Sequence, residues 1–121
     1  GLLHAMLPDA FENEGYADIT LERYVNTGIQ NLFRMVCVHG AGVNNLKVKL
    51  IGGANMFGFD FTNKDMDIGT QNVIQSKRIL ADMGIPVVAQ MTGGTVGRTI
   101  RLEIESAKVY VSATDGSRYV I

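Results

Sequence analysis

The seven residues Thr99-Ile100-Arg101-Leu102-Glu103-Ile104-Glu105 alternate polar and apolar side chains without a break. Such a pattern suits a pleated strand, which sends successive side chains to opposite faces, one against a core and one in water. A chain that carries it must supply something to cover the inner face. Two stretches do so at helical spacing. Val25, Ile29, Leu32, Phe33 and Val36 make an apolar stripe that Gly40 ends. A second helix is expected from about Gly69 to Met83, with Val73, Ile74, Leu80 and Met83 inward and Gly84 then Pro86 at its close.

Further strands surround these helices. Leu46, Val48 and Leu50 alternate with Asn45, Lys47 and Lys49 before Gly52-Gly53, and Val87-Val88-Ala89 is another short candidate. Lys108 to Ala113 is expected to pair antiparallel with the Thr99–Glu105 strand across Ser106-Ala107, and Asp115-Gly116 offers one more turn. The opening Leu2-Leu3-His4-Ala5-Met6-Leu7, closed by Pro8-Asp9, reads as a buried strand with His4 inside it. The order of strand, helix, strand, helix and then several strands implies an α+β fold. Its expected form is a mixed or antiparallel β-sandwich core flanked by two main helices, in one domain over residues 1–121.

Composition removes several function classes. With 121 residues, 46% hydrophobic, the chain can bury a single core. Eleven basic and twelve acidic residues leave a net charge of -1, which provides no field for nucleic acid. No apolar run approaches the roughly 20 residues of a membrane span, so no direct membrane insertion is expected. Cys37 is alone, which excludes an intramolecular disulfide and a cysteine-rich zinc site and suggests a reducing compartment.

Few residues are left to carry chemistry. An imidazole in an apolar strand is costly unless its nitrogens have partners, so His4 reads as either a hydrogen-bonded core histidine or a catalytic one. Cys37, near the end of the first helix, reads as packing, and His39 as a complement to that helix's C-terminal dipole. Gly52-Gly53-Ala54-Asn55-Met56-Phe57 follows a strand, and Gly93-Gly94-Thr95-Val96-Gly97-Arg98 precedes one. Neither spells a dinucleotide or phosphate loop, and both read as tight connections or substrate-site loops. Arg98 could orient a carboxylate or an amide, or be solvated. Asp60, Asp65 and Asp67 lack calcium-loop spacing. Phe57, Phe59, Phe61 and Met66 would form a partner surface if exposed and cover the core if not. No metal and no cofactor are expected.

In order along the chain, four blocks resemble the CheD family of chemoreceptor glutamine deamidases. Gly1-Leu2-Leu3-His4-Ala5-Met6-Leu7-Pro8-Asp9 is similar to its H-x-M-L-P segment. Tyr24-Val25-Asn26-Thr27 is similar to its Y-x-D-T helix start, with Asn26 in place of the usual aspartate. Gly52 to Phe57 and Gly93 to Arg98 are the third and fourth. Asp67-Ile68-Gly69-Thr70-Gln71-Asn72 also resembles the family's I-G-x-x-N helix entrance, with Gln71 where arginine is common.

The resemblance implies hydrolysis of selected receptor glutamine amides to glutamate and ammonia by Cys-His thiol chemistry, in the cytoplasm. It implies that His4 is the acid and base, and that the nucleophilic cysteine lies upstream of it. Cys37 does not match that cysteine. The stretch from Gly1 onward is thus expected to be a CheD-like domain truncated at its N-terminus and inactive alone, with poorly covered apolar surface around Leu2, Leu3 and Ala5. The loop between Asp9 and Tyr24 is longer than the family pattern suggests. Implied partners are the cytoplasmic helices of chemoreceptors and a CheC-type phosphatase. The rival reading is a catalytically silent scaffold that binds the same partners, and a third is a small α+β enzyme using His4 with a metal, for which the ligand set is poor.

Overall fold

The computed structural model of the chain describes residues 1–10, 20–56 and 67–121. Among the described residues two α-helices and five strands make an α+β arrangement. In chain order these are α1 (Val25–Val38), β1 (Val48–Gly52), α2 (Ile68–Asp82), β2 (Val87–Thr92), β3 (Arg98–Leu102), β4 (Val109–Ala113) and β5 (Arg118–Val120).

The strands are not one mixed sheet. β1 and β2 pair in parallel as one sheet, and β3, β4 and β5 form a separate antiparallel sheet in that order. The division follows from the connections. A parallel pair needs a long crossover, and α2 lies on the one that joins β1 to β2. Short turns join the other three strands. At the β4–β5 turn the Ser117 N–H and hydroxyl both donate to Asp115, which holds that carboxyl below its usual range, as the Asp-Gly pair predicts for a turn.

α2 packs against α1 on one side and against β1 and β2 on another. Leu80, Val25 and Ile85 are buried in this part of the molecule, while Val109 and Val111 are the buried positions of β4, Val111 being 1% exposed. Lys49 ties the two sheets together, its Nζ donating to the carbonyls of Ala107 at 2.6 Å and Ile121 at 2.8 Å.

Three expectations need correction. The alternation from Thr99 continues in sequence to Glu105, but the strand stops at Leu102 and Ile104 is 86% exposed. Beyond Glu103, whose N–H donates to the Lys108 carbonyl, the chain is already turning, with Ala107 at φ 56°. Alternation records which residues could pair, whereas the partner strand decides where pairing ends. On α2, Ile74 is 52% exposed and the buried positions are Ser76 and Leu80. The opening segment, finally, is not a strand. Only Leu7 pairs, in an isolated parallel bridge to Tyr24. Leu3, Ala5 and Leu7 are half-buried while Leu2, His4 and Met6 are exposed, so the segment is covered on one side only and His4 is on the open side.

Candidate active site

The start of α2 is the fixed point of the candidate site. Asp67 caps it, its carboxylate accepting from the Gly69 and Thr70 N–H groups, each at 3.2 Å, and from the Thr70 hydroxyl at 2.5 Å. This satisfies donors that the first helical turn cannot pair internally. Asp67 therefore has a structural task, and the calcium-type reading of this loop does not apply to it. Asp60 and Asp65, together with Phe57, Phe59, Phe61 and Met66, lie outside the described residues, as do residues 11–19 of the Asp9–Tyr24 loop.

Two glycine clusters are knitted to this helix start and to each other by main chain. The Gly93 N–H donates to the Gly52 carbonyl at 2.9 Å, and the Asn55 N–H donates to the Gly94 carbonyl at 2.8 Å. Gly53 has φ +67°, and a Cβ there would sit 2.7 Å from the Gly69 carbonyl oxygen and against Val73. Gly69 is under the same constraint in return, since its own Cβ would meet Gly53 backbone at 2.9 Å. Both must be glycine for the loop after β1 to touch the helix backbone. Arg98 is half-buried and its Nη1 donates to the Gly93 carbonyl at 3.0 Å, so its guanidinium fastens the second cluster from within. Gly52, Gly53, Asn55, Gly93, Gly94 and Arg98 are thus brought together as one connected loop pair.

His4 reaches this assembly by another route. Leu3 lies over Gly28 of α1, where a Cβ would be 2.9 Å from Leu3 Cδ1, and Gly1 lies over Leu32 and Val36. Met6 and Leu7 donate their N–H groups to the Arg23 carbonyl at 2.9 and 3.1 Å, and Val25 donates to the Leu7 carbonyl at 2.8 Å. From α2, Asn72 Nδ2 donates to the Met6 carbonyl at 3.0 Å and Gln75 Nε2 donates to Asp9. Asn72 and Gln75 are three residues apart, hence on one helical face. Among the described residues no hydrogen bond joins His4 itself to the glycine loops; α2 carries the connection between them.

The Tyr24-Val25-Asn26-Thr27 block also acquires a physical role. Asn26 Oδ1 accepts from the Ala10 N–H at 3.1 Å and from the Thr27 N–H at 2.8 Å. An aspartate oxygen would accept the same two bonds, so asparagine preserves the function of the block. Thr27 Oγ1 donates back to the Leu21 carbonyl at 2.6 Å. Cys37 is a half-buried free thiol in the last turn of α1, and His39 closes that helix through its own backbone N–H to the Met35 carbonyl.

Sequence reasoning missed the part of Asn72 and Gln75. The signal available was the asparagine at a fixed distance inside the helix entrance, but its partner, a backbone carbonyl far away in sequence, has no side-chain signature.

Comparison with known proteins places this geometry. The family model described as CheD chemotactic sensory transduction matches residues 6–113, a span that begins two positions after His4. The chain is 38% identical over 111 residues to the chemoreceptor glutamine deamidase CheD of Bacillus licheniformis, covering 92% of this chain and 66% of that protein. It is 37% identical over 121 residues to the probable chemoreceptor glutamine deamidase CheD of Caldanaerobacter subterraneus, covering 99% and 74%. With the probable chemoreceptor glutamine deamidase CheD of Pyrococcus horikoshii it shares 42% identity over 111 residues, covering 90% and 65%. The chain thus spans between about two thirds and three quarters of the length of these curated relatives. A match over nearly the whole chain, on an α+β scaffold whose glycine loops and helix entrance interlock as described, means that this chain belongs to the CheD family.

Proposed function

We propose that the full-length protein deamidates glutamine side chains of chemoreceptors and that residues 1–121 form a single domain contributing the acid-base half of the site. Family membership supports the reaction, and the observation that carries the site is the exposed His4 in the His4-Ala5-Met6-Leu7-Pro8 segment, held against both helices.

The chemistry needs a thiolate, a proton shuttle and a water. A cysteine upstream of His4 in the full-length protein attacks the amide carbon, and the carbonyl π electrons move to oxygen. His4, protonated, gives its proton to the departing nitrogen as the C–N bond breaks, so that ammonia leaves and a thioester remains. His4, now neutral, takes a proton from water as that water attacks the thioester, and the thiol leaves to give glutamate. A histidine open to solvent on one side can serve both steps. The Gly52, Gly53, Asn55, Gly93, Gly94 and Arg98 loops act as a frame for the site, since Gly93 and Gly52, Asn55 and Gly94, and Arg98 and Gly93 are hydrogen-bonded to one another.

Each event replaces a neutral amide by a carboxylate on a receptor helix, which biases the receptor's signalling equilibrium. Among the described residues no helix is long and apolar enough to cross a membrane. The proposed setting is the cytoplasm, where receptor signalling helices lie, with a CheC-type phosphatase as a second partner.

Mass spectrometry of a receptor signalling region incubated with the full-length protein tests this reading. Discrete glutamines gaining about 1 Da each, with the gain reduced at least about 100-fold by His4→Ala, are the expected result. A folded full-length protein that converts no glutamine of receptors from its own organism would leave only the partner-binding scaffold.

A further inference from the structure

Asn72 stands apart from every other described polar side chain. Its Nδ2 is bonded to the Met6 carbonyl, while its Oδ1 is fully buried with no hydrogen-bond partner among the described residues. Buried polar atoms are nearly always paired, so an exception needs a reason. A residue selected for stability alone would not leave half its amide unpaired in the interior. What Asn72 supplies is a donor at one place.

That place is two residues from His4. No main-chain hydrogen bond holds residues 1–5 to the rest of the described chain; the first such bonds are those of Met6 and Leu7 to Arg23. The carbonyl of Met6 faces the other way, toward α2, and Asn72 takes it. Met6 is therefore gripped from both sides, by Arg23 through its N–H and by Asn72 through its carbonyl. One turn further on, Gln75 takes Asp9. The helix start behind Asn72 is itself immobilised by the Asp67 cap and the Gly53–Gly69 contact. A rigid chain of contacts thus runs from the glycine loops through α2 to the backbone beside the histidine.

We propose that Asn72 is a positioning residue that sets the orientation of His4 by clamping the Met6 carbonyl to the start of α2. The inference rests on the reading of His4 as the acid-base group. Asn72 touches no reacting atom, and its effect travels through the backbone of Ala5 and Met6.

Asn72→Ala separates this role from plain stabilisation. The substitution removes the donor bond and the orphan acceptor together, and the Met6 carbonyl, on the exposed side, can turn to water. Losing a bond and a buried unpaired oxygen at once nearly cancels, so the melting temperature of the full-length protein should fall by less than about 5 °C. Displacing an acid-base group by a fraction of an ångström should instead lower kcat for receptor deamidation about 10- to 100-fold with KM changed less than about twofold. Asn72→Asp is the second variant; ionised, it keeps the shape but has no donor for the Met6 carbonyl, and at a pH where it is ionised it should lose kcat, expressed per folded protein, at least as severely. His4 imidazole resonances, followed by NMR in a protein labelled at histidine, should move in both variants. Unchanged resonances, or kcat within twofold of wild type, would overturn the proposal, as would a loss of activity that only tracks a loss of folded protein. A wild-type protein that shows no deamidation would defeat the functional reading instead, and the resonances would still decide whether Asn72 positions His4.

Discussion

Gly53 meets α2 backbone to backbone, whereas the segment carrying His4 is hydrogen-bonded to the same helix through the side-chain amides of Asn72 and Gln75. The first contact has no adjustable part. Any side chain at Gly53 or Gly69 enters the space of the opposing main chain, so the loop after β1 can be placed in one way. The second contact depends on side-chain reach, and among the described residues the segment makes no main-chain hydrogen bond before Met6. A frame built from main chain and a histidine segment that reaches it through side chains divide the work, the segment's own main-chain bonds, from Met6 and Leu7, running instead to Arg23 just before α1. The frame resists substitution through folding, and the hung segment resists it through activity.

That division can be broken by substitution. Gly53→Ala should cost the most, about 3 kcal/mol or more in a urea unfolding curve, because a positive φ and a backbone clash coincide. A loss under about 1 kcal/mol would mean that the frame yields and the contrast is false. Asp67→Ala strips the cap from α2 and should cost about 1.5 kcal/mol by the same measurement. Asp67→Asn should recover most of it, since an amide oxygen still accepts. Gly93→Ala isolates the conformational part of the glycine argument. Gly93 has φ +75°, but a Cβ there meets nothing within 4 Å, so the cost should be only about 1 kcal/mol. The smallest effect belongs to the hung segment. His4→Ala should change stability by less than about 0.5 kcal/mol, as an exposed side chain does, while removing the deamidation proposed for the full-length protein. A large loss of stability in that variant would make His4 a structural residue after all.

The elements were legible because helices and strands impress their periods on the side chains that face a core. The stripe from Val25 to Val36 marked α1, and the glycine and proline after Met83 marked the close of α2. The errors share a cause. Leu2 to Leu7 is apolar on both faces, which in sequence looks like burial on both faces, yet only one side is covered. Ile104 continues an alternation past the point where its strand has a partner. In each case a local pattern stated what a segment could bury, and only its neighbours settled what it did bury.

The same boundary runs through the candidate site. Residue types and their order along the chain were enough for the α+β class, for the likeness to CheD blocks and for His4 as the group to watch. That the two glycine clusters are one structure, that Arg98 braces a loop from inside, that parallel and antiparallel strands form separate sheets and that Asn72 grips the Met6 carbonyl were decided in three dimensions. The physical reason is that these contacts run to backbone atoms. Every residue carries the same carbonyl and, proline aside, the same N–H, so a sequence can name the side chain that will reach but not the peptide group it will find.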